Sequence, residues 1–217
     1  MAFPNAGKKG GRALPPNPWD PLVRVTHWAV AAAVIANGLF NQGGGTLHVW
    51  IGWGVMALLI VRLVWGVVGT EAARFSAFPP NPIAAIKHLV ALARGSVSDY
   101  PSHNPAGALM VYALWASLTM IAVTGLVMTE GKSPVTIAEE KAAVAAGDWS
   151  VLVTDTDSTA QPSNDRWAKE VHEVLANLVL VLAALHVVGV GVEQRALRRS
   201  LIRPMLFGAK IREKRGP

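Results

Sequence analysis

Six histidines and no cysteine bound the chemistry open to this 217-residue chain. Without cysteine there is no disulfide framework, no thiolate zinc or iron–sulfur site and no C-x-x-C-H covalent haem attachment. Imidazole nitrogen remains as the transition-metal ligand. Four histidines, His27, His48, His172 and His186, fall in or at the edge of stretches almost free of charge. His172 and His186 are fourteen residues apart. On a helix that spacing is about 21 Å along the axis and returns within about 40° of the same face. One helix would thus offer two imidazoles, on one side, at two depths.

The elements that must position them are apolar. Residues 25–61, 100–129 and 174–192 contain no Asp, Glu, Lys or Arg. A helix crosses a bilayer with about 20 apolar residues, so the first run is too long for one. It breaks at Asn41-Gln42-Gly43-Gly44-Gly45-Thr46, a turn signal. The pattern predicts four membrane helices over about 25–41, 47–68, 106–129 and 170–192. A signal peptide at the first is the competing reading, and the distance of Lys8, Lys9 and Arg12 from the apolar run argues against it. Hydrophobic residues make up 52% and charged residues 16%, which excludes disorder for most of the chain. The net charge of +6 is read as membrane-flanking, with no nucleic-acid partner.

Charge also orients the bundle. The N-terminal side carries Lys8, Lys9, Arg12 and Arg24, and the chain from Glu193 onward carries eight basic residues. The 130–168 connection has three bases against seven acids. The positive-inside rule therefore puts both termini and the 70–105 segment in the cytoplasm and the acidic connection outside. Residues 1–18 read as a flexible cytoplasmic tail, 19–205 as the membrane domain and 206–217 as a basic cytoplasmic tail. Within the acidic connection, Thr136–Gly147 is Ala-rich enough for a short helix displaying Glu139 and Glu140.

With this topology the histidines fall into depth pairs: His27 with His186 near the inner face, and His48 with His172 near the outer one. Two imidazole pairs, one above the other in a four-helix bundle, suit two bis-imidazole haems of the b type, held by ligation and packing alone. Zinc or copper is the alternative, but a closed metal site wants three or four ligands at one depth. Gly38, Gly52, Gly107 and Gly125 give the same faces places without side chains, for a macrocycle or for ordinary small-residue helix packing. Arg62 lies fourteen residues after His48, at the inner level. Its guanidinium there expects carboxylates, the propionates of the inner haem, or else snorkels to lipid phosphate. Arg24 shares that expectation. His103 is expected to cap a helix or to make an interfacial contact, with a place beside a quinone as its functional alternative. His88 is expected on a short amphipathic helix on the cytoplasmic surface.

Several motifs carry a family likeness. Trp19-Asp20-Pro21-Leu22-Val23-Arg24-Val25-Thr26-His27-Trp28, His48-Val49-Trp50-Ile51-Gly52, Arg62-Leu63-Val64-Trp65-Gly66, Ala73-Arg74-Phe75, His103-Asn104-Pro105-Ala106-Gly107-Ala108, Thr124-Gly125-Leu126, His172-Glu173 and His186 occur in that order. Over roughly residues 17–205 the chain resembles bacterial cytochrome b561 proteins and the b-type subunits of nickel–iron hydrogenases. The resemblance implies an all-α integral membrane four-helix bundle enclosing two b-type haems. It implies that His27, His48, His172 and His186 are the haem ligands, and that the chain is a multi-pass protein of the bacterial inner membrane. The long 130–168 connection departs from that pattern.

The expected function is electron transfer across the membrane, between quinone or quinol and a redox partner outside, such as a periplasmic cytochrome c. Bis-imidazole ligation leaves no open iron position for oxygen chemistry. The alternatives are a haem-bearing anchor subunit of a hydrogenase-like or dehydrogenase-like complex, and a cofactor-free transporter or scaffold.

Overall fold

In the computed structural model, residues 20–96, 100, 103–152 and 163–208 are described. The expected tail 1–18, the C-terminal tail beyond 208, and residues 153–162 of the acidic connection, with Asp155 and Asp157, lie outside them. Among the described residues all regular structure is helical. The α-helices are α1 (Pro21–Ile35), α2 (Thr46–Val68), α3 (Pro82–Ala93), α4 (Pro105–Met128), α5 (Pro134–Ala145), α6 (Ser163–Leu197) and α7 (Ile202–Phe207).

Four of them begin the same way. Asp20, Asn81, Asn104 and Ser133 each accept a hydrogen bond from the backbone N–H three residues on, and each is followed by proline. The side chain satisfies an N–H that the first turn leaves open, and proline at the first helical position loses nothing by lacking its own. α1 therefore starts at its cap, four residues before the charge-free run begins. It ends in a π-helical turn, Ala36–Phe40, before the glycine-rich break, where Gly44 takes a positive φ of 73°. α6 extends past the expected 170–192 at both ends. Its flanks, with Lys169 before and Glu193, Gln194, Arg195, Ala196 and Leu197 after, are good helix formers although mostly polar.

Among the described residues, four helices are long and apolar enough to span a bilayer: Pro21–Phe40, Thr46–Val68, Pro105–Met128 and Arg166–Leu197. The chain is a multi-pass membrane protein. Its outward side chains are accordingly apolar and uncovered, Val67, Val187 and Val25 among them, as lipid-facing residues are. The interior is thin. Leu59, Leu118 and Val179 form a buried cluster, with Val30, Val34, Val55, Trp115 and Ile121 packed against it. Val179 lies seven residues from both His172 and His186, so this apolar plug sits between the two histidine levels.

The bundle has a tail end, where α1 starts and α6 finishes, and a loop end, carrying the 41–46 turn and α5. At the tail end the chain between α2 and α4 folds back as two short 3₁₀ turns, Glu71–Ala73 and Phe75–Ala77, and α3. The Phe75 ring lies so close to Gly66 that a Cβ there would overlap it, so glycine is required for this turn to dock.

Candidate functional site

α6 supplies one imidazole at each level, and α1 and α2 bring the opposing ones. At the tail end His27 faces His186 with ring centroids 6.2 Å apart and planes at 56°. At the loop end His48 faces His172 at 6.1 Å and 62°. An imidazole–metal bond is about 2.0–2.1 Å. Two such bonds on opposite sides of one ion, plus the depth of each ring, separate centroids by about 6 Å. Both pairs have that spacing. Nδ1 of His27 and Nδ1 of His48 are buried without a hydrogen-bond partner among the described residues, an arrangement that costs free energy. Among the described residues no three His, Asp or Glu side chains converge as a closed metal site requires.

At the loop end the orientation of His172 is fixed by Thr124 of α4. The Thr124 hydroxyl donates to the carbonyls of Met120 (2.9 Å) and Ile121 (3.0 Å) in its own helix. Its oxygen is then left to accept from His172 Nδ1–H at 2.9 Å. That tautomer keeps the Nε2 lone pair free for a metal. Asn37 Nδ2 donates to the His48 carbonyl at 3.1 Å, which ties α1 to the first turn of α2. Gly125 adjoins the same pair: a Cβ on it would stand 3.6 Å from His172 Cε1. Gly52, one turn after His48, faces open space. Gly38 instead passes close to α6, where a Cβ would lie 2.8 Å from Leu180. Gly107 lies under the α4 cap, beside Asn104 Oδ1.

The tail end is more polar. Arg62 is buried, with its guanidinium 5.5 Å from the Phe75 ring centroid and 5.9 Å from that of Trp115. Nη2 donates to the Ala73 carbonyl at 3.1 Å, while Nη1 is buried without a partner. Arg24 Nε is likewise buried and unpartnered among the described residues. The nearby acid is Asp20, which stands out in the sequence only as part of a motif. It accepts from Val23 N–H (2.9 Å), Trp65 Nε1–H (2.8 Å) and the Thr70 hydroxyl (2.7 Å). Burial pushes its carboxyl up, but those three bonds and the charge of Arg62 outweigh it and leave the pKa lowered. With Asp20 so occupied, the unpartnered N–H groups of Arg62 and Arg24 are free for another anion. The sequence signal for Asp20 is an Asp before a Pro at the head of an apolar helix.

Asn104, rather than His103, caps α4. The His103 ring rests on Phe78 at 4.4 Å between centroids. Desolvation first, then Arg62, His186 and His27, push its pKa down to about 4. His103 therefore belongs to the tail-end site's surroundings. His88 is on the expected short helix but points inward. It is buried, and its Nε2 lies 3.1 Å from Glu193 Oε2 of α6. That contact spans 105 residues, which no local pattern reveals.

The residues thus fit a b-type haem at each level: paired imidazoles at metal-bridging distance, a locked tautomer, and cations with spare donors. No curated protein and no solved structure matches the chain significantly. The family model for prokaryotic cytochrome b561 matches residues 18–208, and the chain belongs to that family of membrane b-type cytochromes, haem proteins of electron transfer.

Proposed function

We propose that the protein carries electrons across the bacterial inner membrane through two b-type haems, between the quinone pool and a redox protein on the outer side. The observation that carries this is the presence of two imidazole pairs at metal-bridging spacing, 6.2 and 6.1 Å, on opposite sides of an apolar plug. His27 and His186 would hold one haem, and His48 and His172 the other. When bound, each haem supplies a one-electron iron couple.

The rest is done by the chain. With two imidazoles at each level, His27 and His186 or His48 and His172 would supply both protein ligands to the iron, which supports electron transfer over substrate chemistry there. Arg62 and Arg24 offer N–H donors to the carboxylates of the tail-end group. Thr124 holds His172 in the metal-binding tautomer. Leu59, Leu118 and Val179 exclude water between the two levels, so that charge passes without a wet path for ions. The basic tails support a cytoplasmic tail end. At the loop end, Lys132 is paired with Glu140 at 3.0 Å and Lys141 donates to the Gly44 carbonyl at 2.9 Å. Glu130, Glu139 and Asp148 remain exposed there, a surface that would steer a basic partner.

The test is a reduced-minus-oxidised spectrum with haem quantification on the purified full chain. Two non-covalent haems per chain are expected, reducible by a quinol. One haem or none overturns the reading. A reporter fused after Pro217 should be active only in its cytoplasmic form. Reduction of a basic cytochrome should slow with added salt, and should lose that dependence when residues 134–164 are replaced by a Gly/Ser linker.

A further inference from the structure

His88 and Glu193 are unusual for a membrane bundle. Their side chains are 3% and 7% exposed, and they meet at 3.1 Å. Ionisable groups withdrawn from water are costly, and an ion pair is a poor clamp because apolar residues of similar volume hold helices as well. α3 already has an apolar anchor in Ala85, 3% exposed.

The position of the pair gives it a use. Glu193 lies seven residues after His186, nearly two full turns. It shares a face with that imidazole, about 10 Å further toward the tail end. His88 reaches it from α3, the helix lying along that end. The Tyr100 ring stands against His88 with centroids 5.4 Å apart. The other ionisable side chains at this end are Lys87 and Arg94 on α3, Tyr112 on α4 with His103 just before it, Arg24 and His27 on α1, Arg62 on α2 with Arg74 after it, His186 and Arg195 on α6 with Arg198 and Arg199 after it, and Arg203 on α7. The remaining described acids at this end are Asp20 and Glu71. Asp20 already accepts from three donors, and Glu71 is exposed.

We infer that the buried His88–Glu193 pair is a proton acceptor that takes up one proton when the tail-end site gains an electron. This rests on the two-haem reading above. An electron added to a low-dielectric interior leaves an uncompensated negative charge, and a nearby protonatable group lowers that cost by binding a proton. The balance is simple. One electron enters from the reductant, quinol in the membrane or an electrode in the test. One proton enters from water at the tail end. The proton would bind at the imidazole of His88, beside the Glu193 carboxyl group. One N–H bond forms, and the entering electron and proton cancel in charge.

The experiment uses the full-length, haem-loaded protein and the variants Glu193→Gln and His88→Asn, each of which keeps a hydrogen-bonding group in place. Spectroelectrochemical titration gives the midpoint potential of each haem against pH. A pH-indicating dye in weak buffer gives the protons taken up per electron. In the unmodified protein the tail-end potential should fall as pH rises, with proton uptake on reduction. Both variants should flatten that dependence and remove most of the uptake, with haem content and the loop-end potential unchanged. Unchanged pH dependence and uptake in the variants would overturn the inference. So would loss of haem or fold in both, since the pair would then be a structural clamp. Absence of the tail-end haem from the unmodified protein would overturn the two-haem reading together with this one, and so separates the two failures.

Discussion

The two histidine levels share α6 and one ring spacing, yet they are built from different chemistry. The loop-end pair is oriented by a neutral hydroxyl, Thr124, and adjoins two glycines, one of them facing open space. The tail-end pair sits among Arg62, Arg24, His103 and the ring cluster of Phe75, Phe78, Tyr112 and Trp115. On the two-haem reading, one level would hold its group by shape and ligand orientation. The other would also surround it with fixed positive charge, which favours the reduced, more negative form. Two haems on the same ligand type would thus differ in potential, with the tail-end one higher on charge grounds.

If the levels are independent, breaking one leaves the other standing. His172→Ala and His48→Ala should each remove the loop-end haem and leave the tail-end one. His27→Ala and His186→Ala should do the reverse. Haem per chain should fall from two to one, read by pyridine haemochrome and by which spectral band survives. A requirement for His88 or His103 alongside dispensability of one of these four would break the assignment.

Thr124→Val tests orientation without touching a ligand. It removes the acceptor for His172 Nδ1–H, and losing such a partner typically costs 10- to 100-fold in metal affinity. Loop-end haem should be lost first on dilution or in competition with apomyoglobin, with tail-end retention unchanged. Equal loss from both levels would show that Thr124 acts on the fold as a whole.

Acid should act on the tail end. His103 stays neutral when folded, its pKa lowered from 6.5 to about 4. The unfolded chain binds a proton below about 6.5 that the folded chain refuses. Stability from this group is therefore full above pH 6.5 and is lost as pH falls toward 4. The loss at pH 5 is at most about 2 kcal/mol. Melting of the tail-end haem band at pH 7 and pH 5 measures it, and His103→Asn should remove that part of the difference. A loop-end band that melts with the same pH dependence in both proteins would remove the contrast.

Arg62→Gln sharpens the electrostatic difference. Losing one positive charge should lower the tail-end midpoint potential by about 60 mV, the equivalent of about 1.4 kcal/mol for one electron. The loop-end potential should stay within error. A rise, or an equal shift at both levels, would contradict the reading of Arg62 as the tail-end cation.

Much of this architecture is legible in the order of residues. Charge-free runs identify the four spans, because bilayer thickness fixes helix length and the hydrocarbon excludes charge. The fourteen-residue spacing of His172 and His186 places them on one face at two depths. Their partners follow from counting crossings, since His27 and His48 begin helices at opposite faces. Helix boundaries are less legible. α1 begins at a cap and α6 continues through polar flanks, and neither feature is an apolar signal.

Local composition and helical period thus settle the membrane class, the number of spans and the histidine levels. The packed bundle was needed for the rest: which nitrogen Thr124 locks, and that Gly38 meets Leu180 while Gly125 meets His172. It was needed to find Asp20 filled by Trp65 and Thr70, and His88 turned inward onto Glu193. These are contacts between segments far apart in the chain, 45 residues for Asp20–Trp65 and 105 for His88–Glu193. Their geometry depends on how helices rotate and pack against one another, and no periodicity within a single helix encodes the rotation of its neighbour.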